Sequence, residues 1–70
     1  MRIRQLPTWR VTIEARERGA IGPFELVTYH LHAPTRWAAF EAAFAIARAA
    51  NLETRFGTAA EKLEHASDAQ

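Results

Sequence analysis

The sequence predicts one small α+β domain, an antiparallel β-hairpin (about 8–18 and 24–33) packed on one main helix (about 35–50). Three observations predict it. Residues 9–18 alternate between apolar and polar. A segment with two glycines and a proline follows. An alanine-rich run without Gly or Pro then carries aromatic residues at helical spacing.

In the first strand Trp9, Val11, Ile13 and Ala15 share one face, and Arg10, Thr12, Glu14, Arg16 and Arg18 share the other. Period-two alternation marks a half-buried strand. Gly19-Ala20-Ile21-Gly22-Pro23 reads as a loop, because glycine supplies unusual dihedrals and Pro23 cannot continue the ladder. Residues 24–32 are rich in β-formers. A loop over 19–23 pairs Arg18 with Phe24. Counting outward sets Ala15 against Val27, Ile13 against Tyr29, Val11 against Leu31 and Trp9 against Ala33. The other face then pairs Arg16 with Leu26, Glu14 with Thr28, Thr12 with His30 and Arg10 with His32. A one-residue slip would set apolar against polar throughout.

Pro34 ends the second strand and Thr35 suits an N-cap. Trp37, Phe40, Phe44 and Ala47 recur at i, i+3, i+7 and i+10. Ala43, Ile46 and Ala50 widen that stripe, which is expected to cover the apolar hairpin face. Asn51 suits a left-handed C-terminal position, with Leu52 as the apolar residue after it. Leu52, Thr54 and Phe56 alternate, which allows a short third strand over 52–56. Thr58 and Glu61 have capping-box spacing, which points to a short helix over 59–66. The domain is expected to span 1–66, with 67–70 a frayed tail and 1–6 either an edge strand or a loose basic arm.

A chain of 70 residues makes one domain. At this size folding buries only about 60% of the unfolded surface. With no cysteine, neither a disulfide nor a thiolate metal site can staple the chain, so its seven aromatic residues or a partner must supply burial. No apolar run reaches the about 18 residues of a membrane span, and no apolar h-region follows the N-terminal arginines. The expected setting is the cytoplasm, with no membrane contact. The net charge is +1, but residues 1–18 sum to +3 and the remainder to −2.

The residue types weigh against catalysis. There is no Cys nucleophile and no G-x-S-x-G elbow, and the carboxylates are spaced apart. No catalytic residues and no cofactor are therefore expected. His30-x-His32 places two imidazoles on one strand face, with Glu14 the nearest acid. Zinc needs about three or four protein ligands, so a metal site is not expected. Gly19-x-x-Gly22 lacks the glycine spacing, the lysine and the following helix of a phosphate cradle.

Two surfaces remain. The first is the outer hairpin face, with Arg10, Arg16, Arg18, Phe24, His30 and His32, and Leu26 beside them. Arginine is enriched at the energetic centres of protein interfaces. Arginine with an exposed ring also suits nucleic acid, where cations meet phosphate and rings stack on bases. The second is the helix back, Ala38, Glu41, Ala42, Ala45, Arg48 and Ala49, a smooth candidate for a partner or a dimer face. The expected function is a non-catalytic protein-binding module that occupies a surface on a larger host protein or complex. Small inhibitors encoded by phages or mobile elements, including the anti-CRISPR class, fit that description. The alternatives are a DNA- or RNA-binding protein using the outer face and a structural homodimer. In outline the expected sheet backed by a helix resembles the arm-binding domains of some phage integrases, with no motif shared residue by residue.

Overall fold

The computed structural model describes residues 6–63. It contains β1 (Thr8–Glu17), β2 (Glu25–His32), α1 (Arg36–Ala49) and β3 (Leu52–Leu63). The strands form one antiparallel sheet in the order β2-β1-β3, and α1 packs on one face of it. This is the α+β architecture expected, a hairpin packed on a helix, with a third strand completing the sheet. The stretch from β2 through α1 to β3 crosses over β1, so among the described residues β1 is central and the other two strands are the edges.

Trp9, Val11 and Ile13 of β1 are buried in the core with α1, and Ala15 is buried in the same row of the strand, as alternation on the central strand requires. The Trp9 indole Nε1 donates to the Ala33 carbonyl at 2.9 Å, so the largest core ring keeps its polar atom bonded.

The hairpin register differs from the expected one by two residues. Trp9 lies opposite Leu31, Val11 opposite Tyr29 and Ile13 opposite Val27. A two-residue shift leaves every side chain on its own face, so the polarity pattern admits both registers. The loop decides between them. The Ala20 amide donates to the Glu17 carbonyl at 3.0 Å, and Gly19 and Gly22 adopt φ of 85° and 132°, which cost little only for glycine. The connection therefore occupies 18–24 rather than 19–23.

The caps of α1 follow the sequence. The Thr35 side chain accepts from the Ala38 amide at 3.1 Å, and Asn51 has φ 66°. Its contact face does not follow the expected stripe. Ala39, Ala43 and Ala47 are fully buried. Phe40 and Phe44 are half-buried on one flank, with ring centroids 6.5 Å apart, and Trp37 is 70% exposed. Small side chains let the helix approach the sheet closely. Phe40 then lies against Gly57, where an added Cβ would come within 2.5 Å of the ring.

β3 extends well past the expected 52–56, and the short helix expected over 59–66 does not form across 59–63. Ala59 pairs with Thr12, Ala60 with Val11 and Glu61 with Arg10. A capping box is a local preference of about 1 kcal/mol. Pairing instead satisfies the backbone along the second side of β1 and buries Ala60 in the core. Residues 64–66 of that segment, the 67–70 tail and residues 1–5 of the N-terminal segment lie outside the described residues.

Candidate contact face of the sheet

The face of the sheet away from α1 carries polar residues from all three strands. Reading across, Thr8 lies between His32 and Leu63, Arg10 between His30 and Glu61, and Thr12 between Thr28 and Ala59. Glu14 lies beside Leu26, and Arg16 beside Glu53.

The register of β1 with β3 shifts twice, between Thr12 and Ile13 and between Ile13 and Ala15. At the second shift Ile13 pairs with Gly57 and Ala15 with Thr54, so Arg55 and Phe56 together oppose the single residue Glu14. Such a bulge re-aims side chains. Here it brings Arg55 onto Glu14, with Nη2 2.8 Å and Nε 2.9 Å from Oε1. Phe56 stays 64% exposed beside it.

Two further arginines of this face are matched from β3. Arg10 is ion-paired with Glu61, with Nε donating to Oε1 at 3.0 Å. Arg16 Nε lies 3.2 Å from Glu53 Oε1, close enough for charge attraction but without a well-aligned hydrogen bond at that nitrogen, while Nη1 donates to the Gly22 carbonyl. Arg18 Nε donates to Asn51 Oδ1 at 3.2 Å, and its amide donates to the Asn51 carbonyl at 3.1 Å. The Arg16 side chain chiefly holds the Glu53 carboxyl below the usual carboxylate range. The Gly19 amide and the Arg18 charge add to this, and desolvation opposes it.

Phe24 is the centre of the loop-ward half. Arg16 Cζ lies 4.3 Å and Arg55 Cζ 4.6 Å from its ring centroid, and Arg55 also reaches Phe56 at 5.4 Å. Leu26, 64% exposed, is on the same face. The result is a set of apolar side chains, Phe24, Leu26 and Phe56, placed among arginines that acids already hold in place.

The expected site residues therefore part company. Arg10, Arg16, Phe24, His30 and His32 share the outer face, with Arg10, His30 and His32 in the half away from the loop. His32 Nδ1 is 3.2 Å from Thr8 Oγ1. Arg18 is tied to the α1–β3 junction rather than to that set. On the helix back, Glu41, Ala45, Arg48 and Ala49 are exposed, whereas Ala38 and Ala42 are half-buried because alanine is also the docking side chain of α1. β3 supplies the residues that sequence reasoning missed: Glu53, Arg55, Phe56 and Glu61. One signal for them was present, since a glycine inside a strand pattern, here Gly57, marks a bulge.

Among the described residues no three of His, Asp or Glu converge as a metal would need, and no helix is long and apolar enough to cross a membrane. A solvent-open hollow of about 380 Å³ at the loop end is lined by Ala15, Val27, Leu52 and Pro23 with Arg16, Glu17 and Glu25. It holds carboxylates but no histidine, serine or threonine. Comparison with protein-family models, curated proteins and solved structures finds no match.

Proposed function

We propose that this chain is a non-catalytic protein-binding module whose contact surface is the loop-ward outer face of the sheet. One observation carries this reading. The guanidinium groups of both Arg16 and Arg55 lie against the Phe24 ring, and Leu26 and Phe56 are exposed. Energetic centres of protein interfaces combine aromatic and arginine side chains held rigid before binding. The bulge and the ion pairs supply that rigidity, so little side-chain entropy remains to be lost on association. A module of this kind acts by occupying a surface on a larger protein, as an inhibitor does.

The ion pairs weigh against the nucleic-acid alternative. Affinity for DNA or RNA grows with the number of phosphates that free cations can neutralise. On this face Arg10, Arg16 and Arg55 each face a glutamate. A gel shift at low salt is expected to show no complex.

The test is capture by the immobilised chain. A bound host protein is expected to be lost with Leu26→Ala plus Phe56→Ala, both exposed, and kept with Ala45→Glu on the helix back. Retention by the first variant, or loss only with the second, would overturn the reading.

A further inference from the structure

We infer that β2 is a self-pairing edge, and that two copies of this chain join through it into one continuous six-stranded sheet. The inference is independent of the outer-face reading, because it rests on backbone groups and on the opposite face.

The two edges of the sheet differ. β3 is interrupted by two register shifts and carries Lys62 near its end, devices that spoil strand addition. β2 has eight residues with no bulge, proline or lysine. Its free backbone groups can be assigned. The Ala33 amide donates to the Pro7 carbonyl, directly opposite in the β1–β2 register. In an antiparallel pair, hydrogen-bonded and non-bonded positions alternate. Leu31, Tyr29, Val27 and Glu25 therefore bond toward β1. Leu26, Thr28, His30 and His32 turn their amides and carbonyls outward, and no described strand meets them.

A second copy matches that edge in one register. With Tyr29 on a two-fold axis perpendicular to the sheet, Leu26 pairs with His32 of the second copy and Thr28 with His30 of the second copy. All four outward residues are then used in both chains. Shifting the axis to Thr28 or His30 leaves outward residues unpaired. In the Tyr29 register the helix-side row sets Tyr29 against itself and Val27 against Leu31 of the second copy, and no like charges meet. Those three side chains are only half-buried in one chain, because α1 lies mainly over β1 and β3.

Eight paired residues span about 26 Å. Both helices fall on one side, and both outer faces on the other.

Sedimentation over a range of concentrations tests the inference. The wild-type chain is expected to reach twice its 7.9 kDa mass. Thr28→Lys plus His30→Lys, both exposed in the single chain, places like charges opposite one another at two symmetric positions and is expected to weaken the dimer about tenfold or more. Thr28→Lys plus His30→Glu restores opposite charges in the same register and is expected to recover it. Circular dichroism checks that the variants fold. Hydrogen exchange gives a readout free of substitutions, in which the Leu26, Thr28, His30 and His32 amides gain protection with concentration. A monomer throughout would overturn the inference and leave the edge to a peptide of another protein. A dimer that neither charge variant alters would also overturn it.

Discussion

The Arg16 guanidinium lies 4.3 Å from the centroid of the Phe24 ring while Glu53 holds the same group from β3. One arginine thus couples the hairpin loop to the third strand. Each cation–π contact at a partly exposed site contributes about 0.5–1 kcal/mol. Phe24→Leu is expected to lower stability by about that much, since two guanidinium groups face the ring and partial exposure limits both. Combined with Arg16→Gln, the loss should fall short of the sum of the two single changes, because both remove one contact. Urea denaturation of the four chains reads this coupling, and strict additivity would refute it.

Glu53 should give the fold an acid limit. Its carboxyl titrates below the usual glutamate value of 4.5, chiefly through Arg16. A carboxylate whose folded value is lowered contributes stability in full above its unfolded value. That contribution is lost as pH falls through the folded value. The melting temperature is therefore expected to drop as pH falls below about 4.5. Glu53→Gln should flatten part of that slope while lowering stability at neutral pH. An unchanged slope would contradict the assignment.

Gly57 and Phe40 are in contact through the absence of a side chain. A Cβ at residue 57 would lie 2.5 Å from the Phe40 ring. Overpacking of this kind costs about 1–3 kcal/mol. Gly57→Ala is expected to cost that much, and the smaller ring-free side chain of Phe40→Leu should return part of it. Thermal melts of the single and double variants check this. Equal cost in both backgrounds would show that the clash is relieved elsewhere.

The two tryptophans should behave oppositely. Trp9 is 8% exposed with its indole bonded to Ala33, whereas Trp37 is 70% exposed. Replacing a buried Trp by Ala costs about 3–5 kcal/mol, and an exposed position about 0.5 kcal/mol or less. Trp9→Ala is expected to unfold much of the population, and Trp37→Ala to melt near wild type. Comparable losses would mean that Trp37 is covered.

Val11 and Ile13 show how far polarity alone reaches. Their alternation with Thr12 and Glu14 placed the strand, its buried face and its outer face, because one side of the sheet is dry and the other wet. Thr35 and Asn51 likewise marked the helix ends through local hydrogen bonding and a tolerated left-handed backbone. Long-range geometry was less visible. A two-residue register change leaves the pattern intact, so only the conformations of Gly19 and Gly22 separate the two pairings. Trp37 sits on the same periodic stripe as Phe40, yet the helix turned to bury alanines, a choice set by how closely two backbones approach. At Thr58–Glu61 a local capping signal competed with pairing along β1 and lost. Glu53, Arg55 and Glu61 consequently stood outside the expected contact face, although they decide its charge.

The most direct test places a photo-crosslinking phenylalanine analogue at position 56, and separately at position 45 on the helix back. The contact-face reading predicts a protein adduct from position 56 and none from position 45. Adducts from position 45 alone, or adducts to nucleic acid from position 56, would contradict it.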